Sequence, residues 1–227
     1  MAATPKSEHP SLIHKIFIVE DHPVFREGMT QILNSEPDMK VCGTAEDVPG
    51  ALRALAQAKP DLVLVDIGLP GKSGLELIKK LRSAGSQMKL LVVSMHDEAL
   101  YAERVLRAGG DGYIMKQEDP EEILHAIRDV LGGHIYVSEE VLTPSSNGSA
   151  TPPSDPKKRP LAQLADSELE LLEMYGRGKS NEEIVSELGL SLQSVIDQSR
   201  QLKKKLKLKT DNALVRYAVC WVEGGEA

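Results

Sequence analysis

Short apolar runs and amphipathic stretches alternate through the first part of the chain. The runs are KIFIV (15–19), MKVCG (39–43), DLVLV (61–65), KLLVVS (89–94) and DGYIM (111–115). Most are nearly continuous in Val, Ile and Leu, as expected of parallel strands buried on both faces. Helical patterns lie between them, near 23–35, 47–58, 74–83 and 98–108, with a fifth near 120–132. The fifth opens with DPEE, which predicts Asp119 as N-cap, Pro120 at the first helical position and Glu122 closing a capping box. Strands that alternate with helices predict an α/β fold: a doubly wound, five-stranded parallel sheet covered on both sides.

The pattern breaks at TPSSNGSATPPSDPKKRP, residues 143–160. This stretch has almost no apolar residue to bury and reads as a flexible linker. After it only helical signals remain. DSELELLEMYGRG predicts a helix over 166–176 capped by Asp166. SNEEIVSELGL opens with a Ser180–Glu183 capping box and stops at Gly189. A longer helix starts at Ser191, and a last one is capped by Asp211. Two short helices around a Gly-containing turn predict a helix-turn-helix. The expected organisation is an α/β domain at 13–142, a linker at 143–160 and a small all-α four-helix domain at 161–227.

Composition changes this picture little. The 227 residues are 41% hydrophobic and 27% charged, ordinary values for a globular protein. No apolar run approaches the roughly 20 residues needed to cross a bilayer, and the N-terminus lacks an apolar signal core. A cytoplasmic protein without membrane contact is expected. Two cysteines, Cys42 and Cys220, are too few for a disulfide framework and fall in or beside apolar runs, so both are expected in the core. The net charge of −7 is carried almost wholly by the first domain, since residues 157–227 hold twelve Lys/Arg and eleven Asp/Glu.

Chemistry enters at the strand ends, because open α/β sheets bind ligands outside the carboxyl ends of their strands. Glu20 and Asp21 follow the first run, Asp66 the third and Lys116 the fifth, and the fourth ends at Ser94. Three converging carboxylates repel one another. Lys116 and a divalent cation with oxygen ligands, best Mg²⁺, would hold them ionised. A metal beside a carboxylate and a lysine suits phosphoryl transfer. Asp66 would be the nucleophile, Lys116 the point charge on the phosphoryl oxygens and Ser94 a hydroxyl donor. Two motifs are set aside. GRGKS (176–180) is similar to the end of a phosphate-binding loop, but Glu173 stands where that loop needs glycine. The six histidines show no paired metal-ligand spacing.

With VEDHP, VDIGLPGKSGLEL, VVSMHDE and RAGGDGYIMK in this order, residues 13–142 closely resemble a response-regulator receiver domain. The resemblance implies Glu20 and Asp21 as the acidic metal pair, the Gly68 carbonyl as a further metal ligand and Asp66 as phosphoacceptor. Ser94 would be the switch hydroxyl, Lys116 the family's lysine and Tyr113 the aromatic that rotates inward on activation. Gln117 departs from the proline that many receivers carry after the lysine. Residues 161–222 resemble the four-helix LuxR/NarL-type DNA-binding domain, through SNEEIVSELGLSLQSV and LKKKLKLKTDNALV. The resemblance implies a histidine kinase as phosphodonor, DNA as target and a homodimer on activation.

The middle of the recognition helix departs from that family, with Ile196, Asp197, Gln198 and Ser199 where a lysine, a polar residue, histidine and arginine are usual. Leu192, Val195, Ser199, Leu202 and Leu206 repeat at spacings of three and four and are expected to form the buried stripe. Base contacts would then fall to Gln193, Ile196, Gln198 or Arg200, and phosphate contacts to lysines including Lys203 and Lys204. The same lysines also suit a solvated basic face. A transcription regulator is therefore expected; the alternative is a protein-interaction module that has lost DNA readout. A receiver serving mainly as a phosphate sink is disfavoured by the separate second domain.

Overall fold

Five strands and five helices alternate through the first unit of the computed structural model, which describes residues 13–138 and 159–222. They are β1 (His14–Val19), α1 (Pro23–Ser35), β2 (Met39–Ala45), α2 (Val48–Ala58), β3 (Leu62–Val65), α3 (Gly74–Ser83), β4 (Lys89–Ser94), α4 (Glu98–Ala108), β5 (Gly112–Met115) and α5 (Pro120–Leu131). The strands are all parallel, in the order β2-β1-β3-β4-β5. This is the doubly wound arrangement that the alternation predicts. The winding reverses between β1 and β3, which opens a crevice at their carboxyl ends. The chain divides into two compact units, 1–139 and 140–227. Most of the predicted linker, 143–158, lies outside the described residues. No described helix is long and apolar enough to cross a membrane.

β3 is buried throughout, and the central strands β1 and β4 are buried from Ile16 and Leu90 onward, which explains their apolar runs. On one face Ile16, Ile18, Leu64, Leu91, Val93 and Ile114 meet Met29 and Leu33 of α1 and Ile123, Ile127 and Val130 of α5. Each such side chain stabilises the fold by roughly 1.5–3 kcal/mol, so the strand ends stand on a rigid base.

The edge strand β2 is different. Its pairing with β1 passes from Ile16–Val41 to Phe17–Gly43, leaving Cys42 as the extra residue of a bulge. Exposure along β2 alternates, so Cys42 faces solvent with Lys40 and Thr44, against the expectation of a core thiol, and Cys220 is half-buried. Gly43 takes the place beside Phe17, where a Cβ would lie 2.7 Å from the ring.

Two features near α5 also differ from expectation. Asp119 caps the helix, accepting from the Glu121 N–H at 3.4 Å. Glu122 does not close a capping box; it accepts the Tyr136 hydroxyl instead. The chain after α5 returns beside β5, where the Tyr113 N–H donates to the Tyr136 carbonyl at 2.7 Å and the Ser138 N–H to Glu98 Oε1 at 2.7 Å. Nothing in the short IYV stretch signals this added pairing.

Arg128 on α5 clamps the α1–β2 loop. Its guanidinium donates to both oxygens of Asp38 at 2.9 Å and to Glu36 Oε2 at 2.6 Å. The Arg128 hydrogen bonds hold the Asp38 carboxyl below the usual aspartate range, against a smaller opposing effect of burial. A depressed folded value stabilises the protein above the unfolded aspartate pKa and is lost as pH falls through the folded one. Arg128→Ala is expected to cost about 1 kcal/mol near neutral pH, because solvent screens these half-exposed groups. The difference should vanish once acid protonates Asp38. Urea titrations of both proteins at neutral pH and at about pH 2–3 check this.

The second unit holds α6 (Arg159–Ala162), α7 (Asp166–Gly176), α8 (Asn181–Leu188), α9 (Leu192–Lys205) and α10 (Asp211–Val222). It is the expected four-helix domain preceded by a single turn. The Ser180–Glu183 capping box forms reciprocally, at 3.2 and 2.8 Å, and Gly189 closes α8 at a φ of +64°. Two caps fall one residue earlier than predicted. α7 starts after Ala165, whose N–H donates to Glu168 Oε2 at 2.7 Å. At α10 the Thr210 hydroxyl oxygen accepts from Ala213 N–H at 3.1 Å, so Asp211 lies inside the first turn. Both acids still suit the positive end of the helix dipole.

Candidate functional site

The residues at the carboxyl edge of the sheet converge because β1, β3, β4 and β5 end side by side. Asp66 is the first residue past β3, Glu20 and Asp21 the first two past β1, Ser94 the last of β4 and Lys116 the first past β5. Glu20, Asp66 and Ser94 are buried polar residues at the end of apolar strand segments. Lys116 Nζ lies 2.6 Å from Glu20 Oε2 and 2.8 Å from Asp66 Oδ2, with its side chain only 6% exposed. It also stands 4.9 Å from the centre of the Phe25 ring, a favourable place for a cation. A buried ammonium is costly without partners, and here two carboxylates compensate it. The other oxygen of Asp66, Oδ1, accepts the Gly68 N–H at 3.2 Å.

Lys116 does not satisfy the third carboxylate. Asp21 Oδ1 is enclosed and accepts no well-formed hydrogen bond. Its nearby charge partner is His22 Nδ1, at 2.9 Å but outside good hydrogen-bond geometry; that same nitrogen lies 2.9 Å from Glu20 Oε1. One ligand atom each from Glu20, Asp21, His22 and Asp66 lies within 4.8 Å of the others. An enclosed oxygen without a partner is expensive, and a carboxylate-rich donor set with such an oxygen fits a hard divalent cation. The sequence reading gave His22 no role; its position next to the acidic pair was the one available signal.

Ser94 and Tyr113 share the turn after β4. The Ser94 hydroxyl oxygen accepts the His96 N–H at 3.4 Å, and the Tyr113 hydroxyl donates to the His96 carbonyl at 2.6 Å. Tyr113 is fully buried. Burial pushes its ionisation well above the ordinary tyrosine value, partly offset by a hydrogen bond with Ser94, so the phenol remains a donor. The His96 ring packs 4.9 Å from that of Tyr101 on α4. The turn is thereby tied to the site, to β5 and to α4.

Gly74 was not singled out from the sequence, yet the site depends on it. A Cβ there would lie 2.1 Å from the Asp66 carbonyl oxygen and 2.8 Å from Val65 Cγ1. Only glycine lets the start of α3 press against the backbone that carries Asp66. The second glycine of GKSGLEL was its trace in the sequence.

In the second unit, Val195, Ser199 and Leu202 of α9 and Leu206 at its C-cap are buried as the spacing predicts. Leu192 is not; it is 47% exposed. It is the first helical residue, and side chains lean toward the helix N-terminus, where no earlier turn covers it. Gln193, Ile196 and Arg200 are exposed, whereas Gln198 is half-buried and its Oε1 is enclosed without a partner. Asp197 accepts from Gln193 Nε2 at 3.2 Å and from Arg200 Nη1 at 2.7 Å. Of the lysines, Lys203 pairs with Asp211 and Lys205 with the buried Glu168 at 2.6 Å, while Lys204, Lys207 and Lys209 are exposed.

Comparison with known proteins matches both units to families. Residues 16–128 match the response regulator receiver domain, and residues 162–218 match the bacterial regulatory proteins of the luxR family. The oxygen regulatory protein NreC of Staphylococcus aureus (strain MRSA252) is 37% identical over 213 residues, which cover 90% of this chain and 96% of that protein. The crystal structure of a LuxR-family two-component response regulator from Aurantimonas sp. SI85-9A1 is 32% identical, with a TM-score of 0.55 over 57% of this chain and 93% of that one. The RcsB response regulator of Salmonella typhimurium shares the fold, with a TM-score of 0.74 at 22% identity over 92% of this chain and 98% of that one. A parallel sheet with an acidic, lysine-bridged carboxyl edge, followed by a helix-turn-helix unit, thus places the chain in the LuxR-type family of two-component response regulators.

Proposed function

We propose that phosphate transfer from a histidine kinase to Asp66 controls DNA binding by the helical unit, and through it transcription. The functional units are 13–142 and 161–227, joined by 143–160. The observation that carries this reading is Lys116 held between Glu20 and Asp66, beside the unpartnered oxygen of Asp21.

In the transfer, an Asp66 carboxylate oxygen forms a bond to phosphorus as the bond from phosphorus to the kinase histidine nitrogen breaks. Mg²⁺, held by Glu20, Asp21, Asp66 and the Gly68 carbonyl, would supply charge neutralisation. Lys116 then exchanges a carboxylate partner for a phosphoryl oxygen. Ser94 turns its hydroxyl to another phosphoryl oxygen. The turn through His96 follows, and Tyr113, buried under it, favours one form of the β4–α4 region. Phosphorylation shifts a population between two forms of one fold. The only chemistry of the receiver is gain and loss of its own phosphoryl group.

The output is DNA binding by a homodimer on a two-fold symmetric site. Lys204, Lys207 and Lys209, with Lys203, would contact phosphates; Gln193, Ile196 and Arg200, with Gln198, would supply base contacts. The protein acts in the cytoplasm. A second reading is favoured by the exposed Leu192 and Ile196 and by Asp197, which engages Gln193 and Arg200: the helical unit as a protein-interaction module. Fluorescence anisotropy of the full chain with duplex DNA at two salt concentrations separates the two. A small phosphodonor plus Mg²⁺ should tighten binding, and affinity should fall steeply with salt. Absence of binding at low salt in both states would leave the interaction module.

A further inference from the structure

Three side chains on the exposed face of α9 hold one another. Asp197 uses one oxygen for Gln193 and the other for Arg200, at 3.2 and 2.7 Å. The positions are four and three residues apart, so they form one row along the helix. The row faces solvent: the Asp197 side chain is 47% exposed and that of Arg200 is 71% exposed. Ile196 lies exposed beside it. A carboxylate on a surface that must approach phosphates weakens binding to every sequence. Its presence in the middle of the reading helix calls for a compensating role.

We infer that Asp197 is a positioning residue for base recognition, holding Arg200 to read the O6 and N7 edge of a guanine. This rests on the DNA-binding reading of the helical unit. The guanidinium is a rigid, planar fork with five N–H donors. Committing one Nη1 donor to Asp197 sets the plane of the fork and leaves the remaining donors for a bidentate contact. Gln193 holds the other carboxylate oxygen and so keeps Asp197 from rotating away. An unrestrained arginine would be satisfied by any phosphate oxygen. With Asp197 beside it, a phosphate meets a like charge, whereas the neutral guanine edge does not. Asp197 therefore lowers affinity for all DNA and raises the ratio between right and wrong sequences, a repulsive element that provides specificity.

The test uses the full chain with Mg²⁺ and a small phosphodonor, on a library of randomised duplexes. Wild type should select at least one G·C pair whose replacement by A·T weakens binding roughly 10-fold or more, the usual worth of a bidentate arginine contact. Arg200→Ala should lose that discrimination at the same base pair. Asp197→Ala should lose most of it while binding unselected duplexes more tightly. Asp197→Asn keeps an acceptor for Arg200 without the charge, so it should lose the repulsive contribution but retain clearly more of the preference than Asp197→Ala. If Asp197→Ala tightens binding to all duplexes equally and keeps the preference, Asp197 acts by charge alone and the inference is overturned. Loss of the preference in Asp197→Asn as complete as in Asp197→Ala overturns it too, as does wild-type binding with no base preference. In these three cases DNA binding itself stands. If wild type binds no duplex at low salt, the DNA-binding reading falls and the inference falls with it.

Discussion

Asp66→Asn is expected to abolish phosphorylation by a small phosphodonor while leaving the fold in place. The asparagine has the shape of the aspartate, and its side-chain oxygen can still accept the Gly68 N–H that now bonds Asp66 Oδ1. Lys116 keeps Glu20 as a charged partner at 2.6 Å. What is lost is the anionic oxygen that must bond to phosphorus, for which a neutral amide is no substitute. Intact-mass measurement should show one phosphoryl group on the wild type in the presence of Mg²⁺ and none on the variant. A chelator should suppress labelling of the wild type, because Glu20, Asp21 and Asp66 cannot otherwise accept a further dianionic group beside them. Equal labelling of both proteins, or labelling that survives chelation, would remove Asp66 from its proposed role.

Lys116→Ala should be folded but markedly less stable, and poorly responsive to the phosphodonor. The wild-type ammonium compensates two carboxylates that are themselves almost inaccessible, Glu20 and Asp66. Breaking a buried ion pair on one side typically costs about 3–5 kcal/mol, because the remaining charge is left without a partner. That is a large share of the ~5–15 kcal/mol that holds a domain together, yet it is smaller than the whole. Combining the change with Asp66→Asn should cost less than the sum of the two single changes, since the second removes a charge that the first orphaned. Urea titrations of the two single variants and the double variant measure this coupling. An unchanged midpoint for Lys116→Ala, or strict additivity, would show that the ammonium does not compensate these carboxylates.

Most of the sheet was legible in the residue order. Continuous apolar runs marked the central strands to within a residue, because burial on both faces leaves no room for polar positions. The edge was harder to read. MKVCG looks like the other runs, but at the sheet edge alternate residues, Lys40, Cys42 and Thr44, face solvent. The strand-like pairing of Tyr136 was invisible, because one bridge needs no sequence pattern of its own. Caps at Ser180 and Asp119 were readable from local chemistry, while Ser191, read as the start of its helix, is its N-cap. Those of α7 and α10 shifted by one residue, since an acid serves a helix start either as cap or within the first turn.

The chain order alone brought Glu20, Asp21, Asp66, Ser94 and Lys116 to one edge, because parallel strands must all end on the same side of their sheet. Their pairing was decided only in three dimensions. Lys116 bridges Glu20 and Asp66, while Asp21 keeps an enclosed oxygen with His22 beside it; these are matters of distance and enclosure that spacing does not encode. The same holds for Gly74, whose need for a bare Cα appears once α3 lies against the Asp66 carbonyl. On α9 the helical period picked out the buried stripe from Val195 onward, but the helix end exposed Leu192 and the fold enclosed Gln198 Oε1. Periodicity reports the direction of a side chain from its own helix axis. Whether another element covers that direction, and which polar atom then finds a partner, depends on residues distant in sequence that only folding brings near.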